Sequence, residues 1–140
     1  MGLKPLRVYF DACSAIYLVE EHPVFAPMIE ARLAECTKTA EVFLQVSELA
    51  EMECLVMPLR KKNQPLLEKF RLWFEQVEIL PVPRAAFQRA AQLRADFAGL
   101  KTPDALHLAT ALHSGSDEFW TNDNRLSHIA PSLIKDITTT

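Results

Sequence analysis

Four carboxylates stand where elements of this chain meet. Asp11 closes the apolar run "LRVYF", Glu53 lies within "SELAEMECLVM", Asp104 opens "TPDALHLATAL", and Asp123 sits in "TNDN". Four carboxylates in one cleft repel one another and persist only where raised pKa values or a cation neutralise them. Oxygen-only donors favour a hard cation, Mg²⁺ or Mn²⁺, held through a few carboxylates, water and substrate phosphate. The chemistry such a set supports is phosphoryl transfer to water: activation of the water, orientation of the phosphodiester and charge stabilisation on the leaving oxygen. Each acid also has a plain local reading. Asp11 and Asp104 suit helix starts, where an acid complements the helix dipole by roughly 0.3–1 kcal/mol. Thr102 is expected to cap the Asp104 helix, with Pro103 at its first position. Asp123 suits a turn, and Glu53 suits a solvated helix face.

Other side chains add less. His107 follows Asp104 by three residues and shares its helix face. It is expected to be structural, because the remaining ligands would be hard oxygens. His22, His113 and His128 form no pairing with Ser or Cys that suggests a triad. Cys13, Cys36 and Cys54 are odd in number and lack C-x-x-C spacing. They exclude a zinc knuckle or disulfide framework and are expected to be buried, reduced thiols. Glycine occurs only at 2, 99 and 115, which excludes a Rossmann fingerprint or a P-loop.

The elements that must position the acids follow from periodicity. "LRVYF" (6–10), "EVFLQV" (41–46), "VEILPV" (77–82), "EFWT" (118–121) and "LIKDI" (133–137) read as short strands. Helices are expected over 14–21, 25–38, from Glu48 to Met57 behind a Ser47 cap, over 65–77, over 84–97 and in the Asp104 segment. Phe70, Trp73 and Phe74 share one side of the 65–77 helix and read as core or dimer surface. The alternation implies one α/β domain over residues 1–140, with a mostly parallel five-stranded sheet and helices on both faces. Ligands of such sheets bind outside the carboxyl ends of the strands, where these acids can meet.

The formal charge of −3 excludes a globally basic nucleic-acid binder. Removing the four acids from 18 leaves 14 against 15 Lys plus Arg, so the remainder is nearly neutral. Arg60, Lys61 and Lys62 form the one basic run; it suits phosphate contacts or a solvated loop equally. No run reaches the ~20 apolar residues of a membrane span. The first residues lack the layout of a signal peptide or a myristoylation site, so the cytoplasm is expected.

The segments "VYFDACSAI", "SELAEMECLVMPLRKKN", "KTPDALHLATAL" and "FWTNDNRL" resemble, in order, the four acidic motifs of the PIN domain family. The resemblance spans nearly the whole chain. It implies a three-layer α/β/α sandwich around a central parallel sheet and a Mg²⁺- or Mn²⁺-dependent ribonuclease. At this length it implies a VapC-like toxin that pairs with a VapB-like antitoxin and forms a homodimer. Carried over by position, the metal-binding and catalytic acids are Asp11, Glu53, Asp104 and Asp123, supported by Ser14, Thr121 and Asn122. Glu48 and Glu51 compete for the second place, although Glu51 projects from nearly the opposite side of the helix to Glu53. Two other readings stay open. An aspartyl-phosphate phosphatase or receiver-like domain also places Asp after its first strand, but "DACSA" lacks a second Asp. A PIN module kept only for protein contacts would bind no metal.

Overall fold

The computed structural model describes residues 2–139. Five strands, β1 (Lys4–Phe10), β2 (Ala40–Ser47), β3 (Glu78–Leu80), β4 (Glu118–Thr121) and β5 (Ile134–Asp136), form one sheet in the order β3-β2-β1-β4-β5. Every pairing is parallel. Six helices join them: α1 (Ala12–Val19), α2 (Phe25–Thr37), α3 (Glu48–Arg60), α4 (Gln64–Phe74), α5 (Arg84–Asp96) and α6 (Thr102–Ser114).

The central strand explains the layers. Val8, Tyr9 and Phe10 are all fully buried, but successive side chains leave a strand on opposite faces. Val8, Phe10, Val46 and Trp120 pack with α1, α3 and α4 through Ala15, Cys54, Phe70 and Phe74. Tyr9 and Phe119 pack on the other face with α5 and α6, through Ala86, Ala90, Leu108 and Ala109. A parallel strand buried on both faces reads as a continuous apolar run, as "VYF" does. Phe70 and Phe74 are therefore core residues, and Trp73 stacks on Phe10.

From β1 the chain winds to β2 and β3 on one side, then returns to place β4 and β5 on the other. The reversal lies between β1 and β4, where an open parallel sheet has its crevice. This order also differs from the 2-1-3-4-5 of flavodoxin-like sheets, so the receiver-like reading lacks its scaffold.

Some expected boundaries shift. Helix α3 continues to Arg60 through Pro58, whereas a stop was expected after Met57. Proline removes one amide donor, and buried Pro58 repays the loss by packing. Arg60 thus belongs to the helix, and the basic loop shrinks to Lys61 and Lys62. Strand β1 begins at Lys4, two residues early, because Lys4 and Pro5 register against Ala40 and Glu41.

Candidate active site

The first acid is fixed by the end of β1. Asp11 caps α1, its Oδ1 accepting the Ser14 backbone N–H at 2.9 Å. The Ser14 hydroxyl donates to the Trp120 carbonyl at 3.0 Å, which ties the start of α1 to β4. Desolvation raises the Asp11 carboxyl above the ordinary range; the Ser14 N–H, the nearby Thr121 hydroxyl and His107 pull the other way.

At the end of β4, the Thr121 hydroxyl accepts the Asp123 backbone N–H at 3.1 Å, shaping the loop. Asn122 donates to the Tyr17 hydroxyl at 2.8 Å, joining this loop to α1. Asp123 caps a 3-10 turn, Asn124–Leu126. Its Oδ1 and Oδ2 accept from Arg125 Nε and a terminal nitrogen at 2.9 and 2.7 Å. Those charge-assisted bonds hold the Asp123 carboxyl below the ordinary range.

Asp104 enters from α6. Lys101, not Thr102, is the N-cap; it makes no side-chain cap bond, and Pro103 occupies the second helical position. The expected Thr102 cap is corrected by one residue: Thr102 has already entered the helix. Desolvation, then the charges of Asp123 and Asp11, raise the Asp104 carboxyl.

Of the three acids on α3, Glu53 is the one turned toward this group. Its Oε1 lies 2.6 Å from His107 Nε2. His107 Nδ1 lies 2.6 Å from the Tyr9 hydroxyl, and that hydroxyl lies 2.9 Å from Ser47 Oγ. Ser47 Oγ in turn accepts the Ala50 N–H as the cap of α3. Tyr9, Ser47 and His107 are buried, and burial holds the Tyr9 phenol well above its ordinary range, as a neutral O–H. An ionised Glu53 only accepts, which puts a proton on Nε2. Glu48 instead accepts from the Val82 N–H, and Glu51 lines a surface hollow with Arg71. His107, expected to be structural, is buried and lies against Glu53, the acid that the PIN resemblance puts second.

That the four acids converge is reported by Cys13. Its thiol is pushed up to about 11 by desolvation and then by the charges of Asp11, Glu53, Asp104 and Asp123 together. Cys13 is exposed, contrary to the expectation for all three cysteines; Cys36 is half-buried and Cys54 buried. The position follows from α1, where Cys13 lies between the inward-facing Ala12 and Ser14.

Arg125 and the chain of Tyr9, Ser47 and His107 were not singled out for the site by sequence reasoning. Arg125 stands two residues after Asp123, and Tyr9 two before Asp11. His107 was visible by its D-x-x-H spacing, but its link to Glu53 depends on α3 and α6 meeting across the sheet edge. Arg60, Lys61 and Lys62 lie at the far end of α3, all exposed. Arg60 follows Glu53 by two turns, about 10 Å along the helix and on the same side.

The donors suit a hard cation: all are carboxylate oxygens, burial raises the pKa of two of them, and a guanidinium already pairs with a third. Among the described residues, no three His, Cys, Asp or Glu side chains are drawn in closely enough to hold a metal ion. The chemistry of the set fits Mg²⁺ or Mn²⁺, and full coordination requires side-chain rotation, including release of Asp123 by Arg125.

A chain of VapBC2 from Rickettsia felis, solved bound to a promoter DNA fragment, superposes with a TM-score of 0.77 at 15% identity, covering 93% of this chain and 98% of that one. A chain of VapBC-1 from nontypeable Haemophilus influenzae gives 0.75 at 16% identity, covering 96% and 100%. Mycobacterium tuberculosis VapC20, described as a sarcin-ricin-loop-cleaving toxin, gives 0.68 at 12% identity, covering 88% and 95%. No curated protein matches this sequence. The family model described as PIN domain matches residues 8–131, from the strand that carries Asp11 to beyond the loop that carries Asp123. On that match, together with the parallel sheet and the order of its acids, the chain belongs to the PIN domain family.

Proposed function

We propose that this protein is a metal-dependent endoribonuclease acting as the toxin of a toxin–antitoxin pair. The observation that carries this reading is the placement of acids from four separate elements at one sheet edge: Asp104 and Asp123 line one cavity, Glu53 reaches His107 on the Asp104 helix, and Asp11 caps α1 where Ser14 ties it to β4. Asp11, Asp104 and Asp123 would hold the cation, with Glu53 as a further ligand or as the group that orients water. When bound, Mg²⁺ or Mn²⁺ supplies the positive charge that acidifies water and offsets the scissile phosphate. Glu53, held from behind by His107, directs a water toward phosphorus. Asp11 is held by the α1 N-terminus, whereas Asp123 must first leave Arg125. Water attacks phosphorus in line and gives up a proton to solvent, the bond to the 3′ oxygen breaks, and that oxygen takes a proton from solvent. The products are a 5′-phosphate and a 3′-hydroxyl. Arg60, Lys61 and Lys62 are available to contact phosphates farther along the strand.

A protein partner is supported by the surface of α3. Met52, Val56 and Leu59 are exposed and follow one another at i, i+4 and i+7, an apolar stripe. A VapB-like antitoxin is the partner proposed for this chain, alongside a homodimer, in the cytoplasm. Among the described residues no helix is long and apolar enough to cross a membrane.

Cleavage of end-labelled total RNA with Mn²⁺, with EDTA and with Asp11→Asn tests the reading. Discrete fragments from the unmutated protein are expected, absent with EDTA and reduced at least ~100-fold in the variant. Fragments that persist in both controls would overturn it.

A further inference from the structure

A cavity of about 310 Å³ opens beside the acids, between the turn that follows α5 and the segment that follows β4. Asp104, Asp123 and Arg125 stand at its lining, and Phe97, Leu126 and Ile129 supply apolar wall. Its shape is built in. The Leu100 N–H closes a turn onto the Phe97 carbonyl at 3.2 Å. Gly99 occupies the third position of that turn at φ +90°, where a side chain would be strained. Arg94 Nε donates to the Leu100 carbonyl at 2.9 Å and pins the turn to α5. Phe97 meets the exposed His128 ring edge to face, 6.1 Å between centroids. One side of the cavity is thus aromatic and carries a ring nitrogen, while another is ionic.

We propose that this cavity is a nucleobase pocket, holding one unstacked base of the single-stranded RNA whose phosphate lies at the acids. The inference rests on the nuclease reading and names how that site chooses its substrate. Size favours one base: the volume lies at the low end of small-ligand pockets, ~300–1,000 Å³, and cannot take a run of stacked nucleotides. Chemistry favours it too. Single-stranded RNA is read by stacking splayed bases on aromatic rings and bonding their edges, and Phe97 and His128 offer both. Position decides the rest. A base seated against Phe97 brings its own sugar-phosphate toward Asp104 and Asp123. Arg125, once a cation draws Asp123 away, has a guanidinium free for that phosphate.

The test separates the pocket from the chemistry by measuring binding without turnover. The probe is a fluorescein-labelled RNA decamer of random sequence, with an abasic decamer beside it, in an Asp11→Asn background with Mn²⁺ raised high enough to saturate it. Adding Phe97→Ala is expected to weaken decamer binding about tenfold. Phe97→Tyr is expected to restore it, and the abasic decamer is expected to bind weakly whichever residue stands at 97. Ala98→Trp, placed at an exposed wall residue, fills the cavity without deleting a packed group and is expected to weaken binding equally, with an unchanged melting temperature. Equal decamer binding by all four proteins would overturn the pocket, as would an abasic decamer that binds as well as the intact one. In that event the EDTA-sensitive cleavage assay still stands as the separate test of the nuclease. Cleavage that survives both EDTA and Asp11→Asn sinks the metal-dependent nuclease and leaves the binding result to be judged alone.

Discussion

Glu53 is a single carboxylate held at the end of a buried line of hydrogen bonds. Tyr9 and Ser47 are fully buried and His107 is 3% exposed, so each polar atom must find a protein partner or cost about 1–3 kcal/mol. Tyr9→Phe removes one hydroxyl and almost no volume. It is expected to destabilise the fold by ~1–3 kcal/mol in urea titration, by leaving His107 and Ser47 short of a partner. It is also expected to lower kcat for RNA by roughly 10- to 100-fold at little cost in KM, because His107 loses its orientation and Glu53 with it. In a Glu53→Gln background the same change should cost no further activity, since groups acting through one another are not additive. Full additivity would show that Tyr9 acts by folding alone. This line of bonds explains why Glu53, and neither Glu48 nor Glu51, faces the other acids. The resemblance to the PIN motifs pointed to Glu53, but Tyr9 looked like one more core residue of a buried strand. Its hydroxyl has meaning only when α6 lies over it.

At the scale of elements, each acid is borne by a terminus or a helix face whose local chemistry suits it. Asp11 is a cap, Asp123 is a cap, and Asp104 lies in the first turn of α6. The capping reading and the site reading are therefore the same fact for Asp11: the N–H of Ser14 that secures the helix also aims the carboxylate. Helix α6 is the exception, for Lys101 caps without a side-chain bond. Lys101→Ser supplies an acceptor for the Asp104 N–H, the third of the helix. It is expected to add ~0.5–1 kcal/mol of stability by urea titration; a loss would mean that Lys101 contributes otherwise at this end. Strand β4 was legible to the residue because its short apolar run lies between polar residues, and the start of α2 because helical spacing begins just after Pro23. The continuation of α3 through Pro58 was not, because proline normally breaks a helix and its compensation lies in packing from other elements. The early start of β1 was hidden likewise, since Lys4 and Pro5 join the sheet only by pairing with β2. The role of Arg125 depends on how the loop after β4 settles around the crevice, and the exposure of Cys13 on which face of α1 turns inward, neither of which periodicity encodes.

Across the whole molecule, the fold bears an electrostatic cost that a bound cation would relieve. Desolvation raises Asp11 and Asp104 in the folded chain above their unfolded value near 3.9. Protonation of these two therefore favours the folded state: their contribution is full below the unfolded value and is lost as pH rises through the raised folded values. Asp123, lowered by Arg125, has the opposite sign, and its contribution is lost only as pH falls below the ordinary carboxylate range. The metal-free melting temperature is thus expected to rise as pH is lowered from neutral toward the unfolded value. Asp11→Asn keeps a good cap while removing a desolvated charge, and at pH 7 it is expected to melt about 2–4 °C higher than the parent, a gain of ~1 kcal/mol. Scanning calorimetry in EDTA checks both. A melting temperature that falls over that window would contradict the burial of Asp11 and Asp104. Stabilisation by Mn²⁺ should be largest at pH 7 and shrink as the carboxyls protonate.

The central claim is that Asp11, Glu53, Asp104 and Asp123 serve one cation. Calorimetric titration of Mn²⁺ into the parent and into Asp11→Asn, Glu53→Gln, Asp104→Asn and Asp123→Asn tests it most directly. The account expects saturable binding by the parent and a loss of affinity of about tenfold or more in each variant, with Glu53→Gln the mildest. Binding of equal affinity in the parent and all four variants, or no binding by the parent at millimolar Mn²⁺, would contradict it.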